Sequence, residues 1–248
     1  MFSANSIMTT SKPEEKLILA LDQMSESEVF LLLKKLPKLS WVKVGLELFT
    51  LTGPEIIYKL RSLDKKIFLD LKFHDIPKTM GKACYRAAQM GVDLMTVHAC
   101  AGKKGLEEAN RLAIEGAMGA GLSPPSLLAV TVLTSWDSKD FVDELDIHQS
   151  LDERVELLAG LASSAGIAGC ICSPLEVSKL RRDFPEPFQL ITPGIRSFAI
   201  DVDDQARVMT PSQALKAGSS KLVIGREITQ ASDPEEAFNS ICNQLTGN

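Results

Sequence analysis

Phe68-Leu-Asp-Leu-Lys-Phe-His-Asp-Ile-Pro-Lys-Thr79 begins as an apolar strand and ends in a loop opened by Pro77. Side chains alternate faces along a strand, so Asp70 and Lys72 point the same way. Asp75 follows where the chain must turn. The apolar run Ile67-Phe-Leu is expected to be buried. A carboxylate and an ammonium at its end are costly to bury unless they pair or do chemistry. Taken alone, Asp-x-Lys reads as a structural ion pair. The third charge at Asp75, and matching charges on other strands, turn the reading toward a catalytic site.

Working outward, short apolar runs recur on both sides of this stretch. Leu17–Asp22 is a strand ending in an acid, and Trp41–Gly45 is a second with Lys43 inside it. After the opening stretch come Val92–His98, Leu127–Leu133, Ala168–Cys172, Phe188–Thr192 and Leu222–Gly225. Helical patterns lie between them. One starts at Ser25 with acids in its first turn. Another opens at Gly53-Pro54 and runs to about Leu63. Further helices are expected over Thr79–Met90, Lys103–Met118, Asp152–Gly166, Pro174–Asp183, Pro211–Ala217 and Asp233–Leu245. Trp136–Leu151 is polar and irregular, with room for a short helix, and Pro193–Met209 is a long segment.

Strands alternating with helices imply a parallel sheet. Eight such units predict a (β/α)8 TIM barrel in a single domain over residues 17–248. Residues 1–16 read as a loosely ordered N-terminal extension. An open doubly wound sheet is the alternative. The first βα turn, Asp22-Gln-Met-Ser25, lacks Gly-x-Gly-x-x-Gly, which weakens a dinucleotide-binding version.

The 248 residues carry a net charge of −5, which argues against a nucleic-acid or membrane-surface protein. It leaves room for a locally basic pocket. Five cysteines without Cys-x-x-Cys spacing point to free thiols in a reducing compartment. Cys170 and Cys172 share a strand face and read as buried thiols. No apolar run approaches the ~20 residues of a spanning helix, and the polar N-terminus has no signal-peptide core. The cytoplasm is the expected location.

In such barrels the active site lies at the carboxyl ends of the strands. Asp22, Lys43, Asp70, Lys72, His98, Thr134, Ser135, Arg196, Gly225 and Arg226 all fall there. The first strands offer alternating acid and base. The last two offer glycine and arginine, where barrels commonly hold a phosphate. Gly225 would let backbone approach an anion, and Arg226 supplies a planar fork of donors. A surface ion pair is the other reading of Arg226. His98 reads equally as a hydrogen-bonded structural residue, and His74 and His148 receive no role. No His/Asp/Glu set has metal spacing, and no serine or cysteine nucleophile is supported. The pattern predicts a metal-free enzyme that transfers a proton at carbon on a phosphorylated small molecule, with a lysine as the acid.

These residues resemble the orotidine 5′-phosphate decarboxylase family from Leu17 to the final helix. The matching pieces are Leu19–Asp22, Val42–Gly45, Asp70–Pro77, Thr96–Ala99, Thr131–Ser135, Thr192–Arg196, Asp204–Arg207 and Val223–Arg226. Asp-x-Lys-x-x-Asp is shared with magnesium-dependent sugar-phosphate decarboxylases. Pro-Gly-Ile-Arg, then Asp-Gln, then Gly-Arg is more specific. Lys78 stands where asparagine is common, and Glu227 where proline is common.

The resemblance implies loss of CO2 from orotidine 5′-phosphate to give UMP, with no metal or organic cofactor. It implies Lys72 as proton donor to C6, Asp70 facing the departing carboxylate, and Lys43 and Asp75 completing the charge array. Asp22 and Lys43 would bind ribose hydroxyls. Asp75, Ile76 and Thr79 would come from the partner subunit of a homodimer. Thr134 would lie near the pyrimidine, and Arg196, Gln205, Gly225 and Arg226 would hold the phosphate under a lid spanning residues 195–207. Two alternatives share the barrel: a magnesium-dependent sugar-phosphate decarboxylase or aldolase, and a non-catalytic phosphate-ligand binder.

Overall fold

The computed structural model describes residues 12–197 and 209–246. Eight parallel strands close into a barrel in chain order. They are β1 Leu17–Ala20, β2 Trp41–Gly45, β3 Lys66–Phe73, β4 Leu94–His98, β5 Ser126–Val130, β6 Gly169–Ile171, β7 Gln189–Thr192 and β8 Lys221–Ile224. The ring closes where Leu17 pairs with Leu222 and Leu19 with Ile224. The expected (β/α)8 barrel is therefore the fold.

The helices in chain order are α1 Glu26–Lys35, α2 Leu46–Thr52, α3 Glu55–Arg61, α4 Pro77–Gln89, α5 Gly102–Gly119 and α6 Ser138–Leu145. Then follow α7 Leu151–Ser164, α8 Val177–Asp183, α9 Pro211–Ala217, α10 Arg226–Thr229 and α11 Pro234–Leu245. Their starts are chemically marked. Ser25 with Glu28, Ser150 with Glu153 and Thr210 with Gln213 form reciprocal capping boxes, which satisfy N–H groups left over at the first turn. Among the described residues no helix is long and apolar enough to cross a membrane.

Two apolar layers result. Ile18, Trp41, Phe68, Leu94, Leu128 and Ile191 fill the barrel interior. A larger layer lies between sheet and helices, where Leu19, Val42, Leu69 and Met95 meet residues such as Val29, Ile56 and Leu106. Because both strand faces are covered, the strands read as continuous apolar runs.

Several boundaries differ from the sequence reading. Pro77 is the first residue of α4, not part of a loop; its missing N–H costs nothing there, and its fixed φ suits a helix start. Residues 46–52, given no structure in advance, form α2, stopped by Gly53 at φ +65. Strands β1 and β5 end early, so Asp22 and Thr134 lie in loops beyond them. Residues Pro13–Lys16 form a 3-10 turn beneath the barrel.

Candidate active site

On β2, β3 and β4 the interior apolar layer gives way to polar and charged side chains before the strands end. Above Trp41 on the same face of β2 stands Lys43; above Phe68 on β3 stands Asp70; above Leu94 on β4 stands Thr96. All three are buried. The Lys43 ammonium donates to both Asp22 carboxylate oxygens at 2.9 and 3.0 Å, and lies 3.6 Å from Asp70 Oδ2. The Lys72 ammonium donates to Asp70 Oδ2 at 2.9 Å. Asp22, Lys43, Asp70 and Lys72 thus form one alternating line of charge.

Burial alone would raise the Asp70 carboxyl above its ordinary value. The charges of Lys43 and Lys72, with hydrogen bonds from Lys72 and Thr96, outweigh it and hold the group lowered and ionised. His98, half-buried at the end of β4, is lowered first by burial and then by the neighbouring charges of His74 and Lys72.

Simple alternation does bring Asp70 and Lys72 to one face, but β3 is not a regular strand there. Its pairing with β4 jumps from Leu69↔Met95 to Phe73↔Val97, so two extra residues are accommodated on β3. Lys72 sits at φ +50, in left-handed space that a non-glycine residue rarely occupies. Its N–H goes to the Thr96 hydroxyl at 2.9 Å rather than to a β4 carbonyl. Bulges of this kind re-aim side chains beside active sites.

The charge line opens into a cavity of about 310 Å³. Asp22, Lys43, Asp70 and Lys72 line it together with Thr134, Arg196, Gly225 and Arg226. Gly45 makes the close packing possible, because a Cβ there would lie 2.6 Å from Asp22 Oδ1. Glu227, at the position where proline is common, accepts the Ser197 N–H at 3.1–3.2 Å and ties the β7 loop to α10.

Three expected residues stand apart from this cavity. Asp75 is exposed, and its Oδ1 accepts the next N–H, from Ile76, at 2.7 Å. Ile76 is 68% exposed. Thr79 lies on the exposed first turn of α4. Gln205, and the expected lid beyond Ser197, lie outside the described residues. Two features were missed in the sequence. Thr96 falls inside a matching motif with no role of its own assigned, although its place on the inward face of β4 is a readable signal. Glu47 at the start of α2 accepts the Gln23 N–H at 3.0 Å and so fixes the turn after Asp22. Among the described residues no group of three His, Cys, Asp or Glu could hold a metal ion.

A parallel barrel with ionised side chains at its carboxyl mouth belongs to the large class of (β/α)8 enzyme scaffolds. Within that class, residues 15–241 match the orotidine 5′-phosphate decarboxylase / HUMPS family, and the chain belongs to it. The orotidine 5′-phosphate decarboxylase of Prochlorococcus marinus is 72% identical over 239 residues, 96% of this chain and 100% of that one. That of Parasynechococcus marenigrum is 55% identical, covering 96% of each chain. The crystal structure of the Lactobacillus acidophilus enzyme of this name superposes with a TM-score of 0.82 at 40% identity, over 92% of this chain and 98% of that one.

Proposed function

We propose that this chain, as one barrel over residues 17–248, decarboxylates orotidine 5′-phosphate to UMP. That would be the last step of de novo pyrimidine nucleotide synthesis, carried out in the cytoplasm by a homodimer. The observation that carries the reading is that the alternating charge line and two arginines line one cavity.

Arg196, Gly225, Arg226 and Gln205 bind the phosphate, while Asp22 and Lys43 bind ribose hydroxyls. Thr134 lies by the pyrimidine, and the substrate carboxylate faces Asp70. The bond from C6 to the carboxylate breaks, CO2 leaves, and the electron pair stays on C6. The Lys72 ammonium stabilises that charge and gives its proton to C6, then regains one from solvent. Asp70 holds the ammonium at 2.9 Å before reaction, so the acid is already in place. The reading calls for no metal or organic cofactor. Rate acceleration comes from fixed charge and from binding energy at the phosphate and ribose.

Asp75, Ile76 and Thr79 act in the partner subunit's site. Their exposure and their absence from their own chain's cavity lining support this.

An absorbance assay with orotidine 5′-phosphate, run with and without EDTA, tests the proposal. Substrate loss with CO2 release, unaffected by EDTA, is the expected result. UMP binding without CO2 release would leave a phosphate-ligand binder. Activity abolished by EDTA would leave a magnesium-dependent enzyme of the same barrel group.

A further inference from the structure

Thr96 is fully buried inside the barrel, in the layer that holds the charge line. Its hydroxyl does two things at once. It accepts the Lys72 N–H at 2.9 Å and donates to Asp70 Oδ1 at 2.9 Å. The first bond gives a partner to a backbone donor in the stretch where the β3–β4 register breaks. The second orients the carboxylate so that its other oxygen, Oδ2, faces Lys72 and Lys43 at 2.9 and 3.6 Å. One side chain therefore fixes both members of the Asp70–Lys72 pair, and holds Lys72 in its left-handed backbone conformation.

We infer that Thr96 is a positioning residue for the proton donor, acting through the Lys72 backbone and the Asp70 carboxylate and not through contact with substrate. The inference rests on the decarboxylase reading above. A residue held in rarely populated backbone space persists only where its surroundings over-determine it. Without the hydroxyl, the buried N–H and Oδ1 both lose their partner, and the bulge can relax. A shift of about 1 Å in a reacting group can slow turnover about 100-fold.

The test compares Thr96→Val, Thr96→Ser and wild type. The valine variant keeps the shape and removes the hydroxyl; the serine variant keeps the hydroxyl. Valine is expected to lower kcat about 10–100-fold while leaving KM and UMP affinity close to wild type. Serine is expected to restore most of kcat. The acid limb of the kcat–pH profile should move to higher pH in the valine variant only, because the ionised Asp70 has lost a donor. Should valine misfold, Thr96→Ala removes the same hydroxyl with less bulk. A folded hydroxyl-free variant keeping more than half of wild-type kcat overturns the inference, as does a serine variant as slow as valine. Wild type with no turnover of orotidine 5′-phosphate overturns the functional reading itself, and the role of Thr96 with it. Wild-type turnover matched by Thr96→Val overturns only the role of Thr96.

Discussion

At the amino-terminal mouth of the barrel, Glu15 accepts from Trp41 Nε1 at 3.2 Å and from Lys66 at 3.0 Å. Lys221 lies 4.5 Å over the Trp41 ring and donates to the Glu15 carbonyl. At the carboxyl mouth, Lys43 and Lys72 meet Asp22 and Asp70 at similar distances. Both ends thus use lysines against carboxylates. The lower set closes over a tryptophan that fills the barrel. The upper set borders a cavity of about 310 Å³ and hangs on a bulged strand with Lys72 at φ +50. Ion pairs alone do not distinguish a site from a seal; open volume and irregular backbone do.

The sharpest way to break this contrast is at Lys72. Lys72→Ala is expected to fold and to bind UMP, and to lower kcat about 10⁴-fold, since on the proposed mechanism it removes both the proton donor and the charge facing C6. Steady-state kinetics with UMP titration checks both halves. Retention of a tenth of wild-type kcat would end the proton-donor assignment. Lys72→Arg should be no better, because a guanidinium does not give up a proton.

A smaller loss is expected elsewhere in the cavity lining. On the proposed reading Arg226→Ala removes a charge-assisted contact to phosphate, and it should raise the barrier measured by kcat/KM by about 2–4 kcal/mol, although phosphate is remote from C6. The nucleoside lacking phosphate is the control. Its turnover is already poor, and the variant should hardly change it. An equal loss on both substrates would show that Arg226 does something other than hold phosphate.

Asp75 sharpens the contrast differently, because it follows β3 near the upper mouth yet is exposed and does not line its own chain's cavity. If it serves the partner's site, two inactive homodimers, Lys72→Ala and Asp75→Asn, should complement after subunit exchange. Each mixed dimer then has one site with both defects and one with neither. Random pairing at equal amounts makes half the dimers mixed, so activity should return to about a quarter of wild type. Proven exchange without recovery would place Asp75 in its own chain's site.

The barrel was legible in the sequence because eight buried parallel strands read as apolar runs, with helical patterns between them. The charge line was legible because alternation puts Asp70 and Lys72 on the inward face, and because Lys43 interrupts an apolar strand. The bulge was not. Nothing in Asp-Leu-Lys announces φ +50, which follows from pairing with β4 and from Thr96, twenty-four residues along the chain from Lys72. Helix α2 was missed because Leu46–Thr52 is short and lacks a side-chain cap. The lower seal was missed because Glu15 reads as part of a polar tail until Trp41 is seen beneath the barrel.

That seal yields the smallest expected effects, on stability and not on turnover. Glu15 and Lys66 are both substantially exposed, and such pairs contribute about 0.2–1 kcal/mol. Glu15→Gln should therefore lower Tm by only a few degrees and leave kcat unchanged. Lys221 adds a pH signature. Burial lowers its ammonium from 10.5 to about 8, even though Glu15 pulls the other way. Below about 8 the group is protonated both folded and unfolded, and its burial destabilises the fold. Between about 8 and 10.5 the unfolded chain binds more protons than the folded one, so stability is gained as pH rises. Lys221→Met removes this contribution. Thermal melts of both proteins from pH 7 to pH 10 should show wild type gaining on the variant as pH rises, with equal kcat at pH 7. A Tm difference that stays flat across that range would show that Lys221 does not carry a burial-lowered ammonium. A lower kcat at pH 7 in either variant would show that the two mouths are coupled.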